Sequence, residues 1–425
     1  MKKNKGCYTK FRALHPFPHY MILLLVMLTA YLGQGFANSA YVINSNDNTV
    51  TVIDTESNLV LTTITVGNTP NGIAITPDGR YAYVTNYGGN SISVIDTTNY
   101  AIATTISVGF SGPLGVAFTP DGLYAYVANN GIDTVSVVDT TSNTVISTIT
   151  VGVWPVGIVL TPDGRYAYVT NNNQNTTSVI DTTNNTVVAT IPVDNGPFGI
   201  AMASNGSFVY LTNLFSDNIS EINTATNNVE TSIPVGSTPR YLAITPDGNY
   251  IYVANSNNNN VSVIATGSNT LIMTILVGNA PFGVAITPNG EFAYVNNNAD
   301  NTVSVIHTST NTVIATVPVG SQPQSIAITP PPRPSPPQNL AGTQVKNRFL
   351  TQTDLVNLLS WSQSPGIAVV NYNIFRDGVL ISNILSTAPL VYQDHHRKKG
   401  KRYTYKIKAV DVDGLQSDPV TIILP

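Results

Sequence analysis

The sequence predicts an all-β protein: a seven-bladed β-propeller followed by a small, fibronectin type III-like β-sandwich. Two observations carry this prediction. A unit of 42 or 43 residues recurs seven times, and each unit holds four short runs of alternating apolar residues. A Pro-rich segment then separates the repeat from a tail of different composition. Residues 40–330 show no sustained helical period, which argues against helical repeats.

Three anchors recur in register along the repeat. A proline stands at Pro70, Pro113, Pro155, Pro197, Pro239, Pro281 and Pro323. A V-x-V-I-D run ends at Asp54, Asp96, Asp139, Asp181, Asn223, Ala265 and His307. A Tyr-Val-x-Asn motif begins at Tyr41, Tyr83, Tyr126, Tyr168, Tyr210, Tyr252 and Tyr294. Since each of the three anchors occurs seven times, the sequence predicts seven equivalent units.

The second unit illustrates the strands within one blade. Its runs cover residues 72–76, 81–86, 91–96 and 102–108. Between the first two runs, Pro77 presets φ and Gly79 supplies a positive φ, as a tight turn requires. Four short strands in a unit of this length are typical of a propeller blade.

The two ends of the repeat predict how the ring closes. The chain enters at Tyr41, at the place of a second strand, and leaves through residues 325–329, at the place of a first strand. We therefore expect residues 41–66 and 325–329 to share one sheet, which removes two open strand edges. The propeller is assigned to residues 38–329.

The motifs carry a family resemblance. Residues 83–86 and 168–171 both read Tyr-Val-Thr-Asn, and P-x-G-[IV]-A-[IF]-T-P-[DN]-G accompanies them. About 290 residues thus resemble the YVTN family of β-propeller repeats. The resemblance implies the propeller fold and a location in the surface layer, the cell envelope or the secreted fraction of bacteria and archaea. It implies no particular ligand.

The tail is predicted to be a separate domain. Residues 330–337 form a Pro-rich linker, and residues 338–425 contain strand-like runs at 355–361, 370–376, 379–381, 403–410 and 420–423. This tail resembles a fibronectin type III domain, which implies that Trp361 is its core tryptophan and Tyr403 its tyrosine corner.

Residues 1–37 have the pattern of an export signal. Five basic residues precede an apolar run of 13 residues at 20–32, and small residues stand before Asn38. The run is shorter than the ~20 residues that span a bilayer as a helix, so we expect cleavage. An uncleaved anchor stays as the alternative. The location is then the periplasm, the cell surface or the extracellular space.

Charge is segregated along the chain. Residues 40–330 contain 17 acidic residues and three arginines, whereas the chain from Arg333 onward contains 11 basic and 6 acidic residues. An acidic propeller repels phosphate backbones, so nucleic acid is not expected as a partner. The basic tail has three open interpretations: solubility, contact between the domains, or attachment to an anionic surface.

Residues suited to catalysis or metal binding are scarce. The single cysteine, Cys7, lies in the leader. His307 replaces a repeated aspartate and is interpreted as a blade-edge residue, while His395 and His396 belong to a solvated basic loop. The repeated aspartates are assigned to turns, where a carboxylate accepts backbone N–H groups. We expect no cofactor and no metal, with Ca²⁺ binding by aspartates as the open alternative.

Function is sought where the seven units differ. A candidate binding rim consists of the residue after each Pro anchor and two neighbours: Asn71, Leu114, Trp154, Val156, Phe198, Arg240, Tyr241, Phe282 and Gln324. Aromatic rings, amides and one guanidinium can bind a sugar or a protein segment. The alternative is that these residues only pack blade against blade.

These observations favour an exported, monomeric and non-enzymatic protein of the cell envelope. Its propeller would be a platform for a protein or carbohydrate partner. The protein would be attached to a membrane only through an uncleaved leader. The alternative is an enzyme, a lactonase-like hydrolase or a lyase. Propeller enzymes of that kind gather titratable groups at the channel mouth, where this sequence has few.

Overall fold

The computed structural model describes residues 38–107, 111–331, 333–349, 352–365, 367–412 and 414–425. The predicted leader, residues 1–37, lies outside these ranges. Residues 38–425 form a compact unit of their own. Within the described ranges, no helix has the length and apolar character needed to cross a membrane.

The propeller contains seven sheets of four antiparallel strands each. The innermost strands all begin at a Pro anchor: β4 (Pro70–Ile75), β8 (Pro113–Phe118), β12 (Pro155–Leu160), β16 (Pro197–Met202), β20 (Pro239–Ile244), β24 (Pro281–Ile286) and β28 (Pro323–Ile328). The second strands all end at an asparagine: β1 (Ser39–Asn44), β5 (Tyr81–Asn86), β9 (Tyr124–Asn129), β13 (Tyr166–Asn171), β17 (Phe208–Asn213), β21 (Tyr250–Asn255) and β25 (Phe292–Asn297).

The two outer strands complete each blade. The third strands are β2 (Thr49–Asp54), β6 (Ser91–Asp96), β10 (Thr134–Asp139), β14 (Thr176–Asp181), β18 (Asn218–Asn223), β22 (Asn260–Ala265) and β26 (Thr302–His307). The outermost strands are β3 (Val60–Thr65), β7 (Ala101–Ile106), β11 (Thr144–Thr150), β15 (Thr186–Pro192), β19 (Asn228–Pro234), β23 (Thr270–Leu276) and β27 (Thr312–Pro318). Blade 1 is the sheet β28-β1-β2-β3, and blades 2 to 7 follow in chain order.

The ring is closed by strands from the two ends of the repeat. Strand β28 pairs antiparallel with β1, with Tyr41 opposite Ala327 and Val42 opposite Ile326. Each innermost strand contacts the next, and β28 contacts β4. The predicted all-β, seven-bladed propeller is therefore confirmed.

The hydrophobic core lies between neighbouring blades. In one cluster, Tyr41 and Val52 of blade 1 pack against Ala82 and Val84 of blade 2. Because side chains alternate along a strand, the two faces of each sheet contribute to two different clusters. No single unit can therefore bury both its faces without its neighbours.

The C-terminal region forms two further antiparallel sheets around one core. Its strands are β29 (Gln338–Phe349), β30 (Gln352–Ser362), β31 (Val369–Arg376), β32 (Val379–Leu385), β33 (Val391–Asp394), β34 (Tyr403–Asp411) and β35 (Val420–Leu424). The sheets are ordered β29-β30-β33 and β32-β31-β34-β35. Trp361 of the first sheet and Tyr405 of the second belong to the same buried cluster. Strands β29 and β33 were missed by sequence reasoning, because neither has a clear alternation of apolar residues.

Candidate functional site

The variable residues of the repeat form a ring at one end of the central channel. Each is the second residue of an innermost strand: Asn71, Leu114, Val156, Phe198, Arg240, Phe282 and Gln324. The loops between second and third strands lie on the same face. There the side-chain amides of Asn172 and Asn298 donate to the carbonyl oxygens of Pro197 and Pro323, at 3.2 and 3.1 Å. This face is called the channel mouth below.

A glycine follows the variable residue in five of the seven innermost strands. A Cβ on Gly72 would overlap the carbonyl oxygen of Leu114 in the next blade, so the strands can approach only because the side chain is missing. Tyr241 and Ser325 take the glycine position in the other two strands. Both line a channel cavity of about 170 Å³.

Arg240 is the central feature of the channel mouth. Its guanidinium carbon lies 5.2 Å from the ring centroid of Phe198 and 4.9 Å from that of Phe282, on the two flanking blades. Cation–π attraction therefore holds it between two aromatic rings. Its buried Nε has no hydrogen-bond partner within the described ranges. Burial lowers the pKa of the guanidinium, but an arginine remains cationic.

Within the described ranges, no ion pair neutralises this cation. The ion pairs among the described residues involve His307, Arg376, His395, His396 and Arg397, and none involves Arg240. A half-buried, unpaired cation is costly unless a ligand or solvent compensates it. The arrangement suits an anion or an oxygen atom that gains negative charge during a reaction.

Tyr241 follows Arg240 on β20, and its ring contacts the same two phenylalanines, Phe198 and Phe282, that flank the Arg240 guanidinium. Its ring packs edge-to-face with Phe198, with centroids 5.3 Å apart. Burial raises the pKa of the Tyr241 phenol to about 12, although nearby Arg240 acts in the opposite direction. The phenol is therefore neutral at physiological pH and able to donate a proton.

The other predicted rim residues differ in their surroundings. The Asn71 amide donates to the side-chain carbonyl of Gln324, so two polar residues of adjacent blades are paired. Val156 is buried and Leu114 half-buried, which makes the opposite arc apolar. Trp154 is not on a strand: it lies in the loop before β12, half exposed, with a left-handed φ of 57°.

Two exposed aromatic residues on this face were missed. Tyr87 and Phe215 lie in the loops after β5 and β17, with 41% and 71% of their surfaces exposed. Their position in the sequence could have identified them, because each is a large aromatic residue in a type of loop that is otherwise rich in Asn, Ser and Gly.

The three described histidines are not among the residues of the channel mouth. His307 ends β26 and lies 3.9 Å from a carboxylate oxygen of Glu291, with its ring edge-on to Phe292. Both His395 and His396 contact Asp354 in the C-terminal region, at 2.7 and 3.1 Å. Among the residues that the structure describes, no group of three or more His, Cys, Asp or Glu side chains is arranged to hold a metal ion.

Residues 37–283, more than half of the chain, match the model of a family described as "Lactonase, 7-bladed beta-propeller". The chain belongs to this lactonase family. None of the curated proteins matches the chain. The family assignment therefore rests on the propeller itself.

Solved structures similar to this family member share its propeller architecture. A hydrazine synthase structure from Kuenenia stuttgartiensis is 27% identical, with 60% of this chain and 88% of that one covered and a TM-score of 0.56. A protein of unknown function from Desulfotomaculum acetoxidans is 19% identical, with 69% and 100% covered and a TM-score of 0.63. A Bacteroides fragilis protein, whose assignment as a 6-phosphogluconolactonase is itself an inference, is 16% identical, with 70% and 99% covered and a TM-score of 0.60.

The expectation of a non-enzymatic binding protein was wrong. Membership of a lactonase family contradicts it and favours the alternative, a lactonase-like enzyme. A non-enzymatic protein was predicted because nucleophiles, metal ligands and clustered carboxylates are scarce in the sequence. Hydrolysis of a lactone develops negative charge on the carbonyl oxygen, however, and a preorganised donor such as a guanidinium can stabilise that charge without any of these groups.

Proposed function

We propose that the protein hydrolyses a lactone at the channel mouth, with Arg240 stabilising the negative charge that develops on the carbonyl oxygen. The observation that carries this proposal is the state of Arg240: a half-buried guanidinium, without a carboxylate partner among the described residues, at the mouth of a lactonase-family propeller. Removing a single oxyanion donor from a preorganised site commonly costs ~10²- to 10³-fold in rate.

The neighbouring groups supply the remaining chemistry. The ring residues include no nucleophile, so the attacking species is water. Water adds to the carbonyl carbon and releases one proton to solvent. The ring C–O bond then breaks, and the departing alkoxide takes the Tyr241 proton, which solvent replaces. The new carboxylic acid releases its own proton to solvent. The raised pKa of Tyr241 keeps this proton in place until the more basic alkoxide forms. The product is an open-chain hydroxy acid whose carboxylate faces Arg240. These steps require no cofactor.

A lactone assay on residues 38–425 tests the proposal. The wild type, Arg240→Gln and Arg240→Lys are compared over a panel of five- and six-membered lactones in a pH-stat. We expect Arg240→Gln to lower kcat/KM about 10²- to 10³-fold and Arg240→Lys to retain part of the activity. Arg165→Gln is the matched control: it removes a guanidinium that also lies over an aromatic ring, that of Tyr166, but outside the channel mouth, and it should stay within a few-fold of the wild type.

Two results would contradict lactone hydrolysis at this site. One is a wild type that does not exceed the spontaneous rate on any lactone of the panel. The other is an Arg240→Gln variant that matches the wild type while thermal unfolding shows both to be folded.

We further propose that the protein is exported to the cell envelope, and that the propeller is of the YVTN type. The basic, apolar and small-residue pattern of residues 1–37 supports the first point. Seven in-register copies of the Tyr-Val-x-Asn motif support the second.

We also propose that the C-terminal region is a fibronectin type III-like domain. When its seven strands, β29 to β35, are numbered 1 to 7 in chain order, the two sheets have the strand orders 1-2-5 and 4-3-6-7. These orders support the assignment. Trp361 is buried and packs edge-on against Tyr372, at 5.7 Å. The Tyr403 hydroxyl accepts the backbone N–H of Lys398 at 3.2 Å, as a tyrosine corner does.

A further inference from the structure

The loop between β33 and β34 carries the densest charge of the molecule. Residues 395–402, called the basic loop, read His-His-Arg-Lys-Lys-Gly-Lys-Arg. Lys398, Lys399, Lys401 and Arg402 are all exposed. The loop contains no acidic residue, and exposed Lys406 extends the charge along the adjacent strand.

The basic loop is held in place by its neighbours. The Arg397 N–H donates to the Leu355 carbonyl at 2.9 Å, and the Arg397 guanidinium lies over the Tyr403 ring at 5.2 Å. Lys398 donates its N–H to the Tyr403 hydroxyl. These contacts fix the backbone, and the exposed Lys401 keeps its ammonium 4.9 Å from the Tyr403 ring centroid, so little ordering is required on binding.

The nearby acidic groups pair with residues other than the four exposed cations, and Asp394 also lies 3.5 Å from Nε of Arg397 in the loop. Buried Asp394 accepts two hydrogen bonds from Arg376, at 2.8 and 3.0 Å, and a third from the Tyr405 hydroxyl. Asp354 contacts the two histidines at the start of the loop. Asp377 is exposed and accepts the N–H of Thr404. The exposed cations of the loop therefore outnumber the carboxylates around them that are free to pair with them.

An apolar hairpin tip stands beside the basic loop. Asp377, in the turn between β31 and β32, donates its N–H to the carbonyl of Thr404, just after the loop, at 2.8 Å. The next residues beyond this turn, Val379 and Leu380, are 65% and 52% exposed. Exposed cations next to exposed apolar side chains are the combination that binds at the interface of an anionic bilayer.

We propose that this end of the C-terminal domain docks onto anionic phospholipid bilayers. The basic loop lies on the headgroup phosphates, and Val379 and Leu380 enter the interfacial region. This proposal departs from the expectation that a membrane is met only through the leader. It is independent of the lactonase proposal, because none of these residues belongs to the propeller.

Vesicle co-sedimentation of residues 38–425 tests the docking. This chain lacks the apolar leader run, and all its described sheets are complete within residues 39–424. We expect binding to vesicles of phosphatidylcholine mixed with phosphatidylglycerol, little binding to phosphatidylcholine alone, and weaker binding as salt rises. Equal binding to both vesicle types would overturn the proposal, as would no binding at low salt.

Two variants separate the contributions of charge and apolar contact. Combined Lys398→Gln, Lys399→Gln, Lys401→Gln and Arg402→Gln should weaken partitioning about 100-fold or more. Its control, Arg80→Gln with Arg165→Gln, removes exposed propeller cations and should change nothing. Combined Val379→Ser and Leu380→Ser should weaken binding about 10-fold. Its control is Leu271→Ser with Ile272→Ser, an exposed pair on the propeller.

The variants also distinguish a bilayer from a soluble polyanion. If the protein binds a polyanionic polysaccharide as tightly as vesicles, and the Val379 and Leu380 changes have no effect, the site recognises charge alone and the bilayer proposal fails. Retained vesicle binding by the folded quadruple variant would equally overturn it.

Discussion

The hydroxyl of Tyr83 in blade 2 donates a 2.6 Å hydrogen bond to Oδ1 of Asn143 in blade 3. The same bond recurs around the ring, from Tyr126 to Asn185, Tyr168 to Asn227, Tyr252 to Asn311 and Tyr294 to Asn58. Tyr41 lacks it, because Tyr100 takes the place of the asparagine, and its buried hydroxyl has no partner within the described ranges. The first residue of the repeated motif thus links one blade to the next.

This difference predicts opposite outcomes for one substitution at two equivalent positions. Tyr83→Phe should lower the free energy of unfolding by about 1 kcal/mol, since it removes a made hydrogen bond. Tyr41→Phe should leave stability unchanged or raise it, since it removes an unsatisfied buried hydroxyl. Thermal and denaturant unfolding measure both, and equal losses would contradict the assigned bonding.

Glu221 occupies a position that is valine in the other six units. Its buried carboxylate accepts from the Tyr210 hydroxyl and from the Asn269 amide, both at 2.7 Å. Glu221→Val should stabilise the protein by roughly 1–3 kcal/mol, because it removes a buried carboxylate and lets Tyr210 donate directly to the unpaired Oδ1 of Asn269. Glu221→Gln is the control and should have a smaller effect. A lower melting temperature for Glu221→Val would refute this account.

Thr238, just before the Pro anchor of β20, has a left-handed φ of 57°. A β-branched residue is strained in this region, whereas asparagine tolerates it. Thr238→Asn should therefore raise the free energy of unfolding by about 1 kcal/mol. Thr150→Asn, in the extended strand β11, should give no such gain, since asparagine is disfavoured in strands. Similar shifts for both variants would exclude relief of strain as the cause.

Buried tyrosines predict a loss of stability in alkali. Burial raises the pKa of the Tyr168 phenol from 10.0 to about 12, so the unfolded state releases this proton first. The stabilisation is complete below pH 10 and disappears as the pH rises towards 12. Melting temperature followed across this window, with phenolate absorbance, measures the effect. Tyr168→Phe should make the fall shallower and exposed Tyr87→Phe should not; identical pH profiles would contradict it.

The repeat spacing was enough to predict the number of blades, the order of their strands and the turns between them. These features depend on alternation and turn chemistry within about 42 consecutive residues, which a sequence displays directly. In the C-terminal region the runs at 370–376 and 403–410 coincide with β31 and β34. Strand β33 is only four residues long, so its alternation was too short to detect.

By itself, the sequence determined a closed ring of seven similar sheets, because every unit repeats the same alternation of apolar residues and the same turn residues. Only the tertiary structure decided which variable residues meet. Arg240 is 42 residues from Phe198 and 42 residues from Phe282 along the chain, yet the three side chains are in contact at the channel mouth. The absence of a carboxylate beside Arg240, within the described ranges, is likewise a property of the assembled ring. Contacts of this kind are non-local, so no window of sequence contains them.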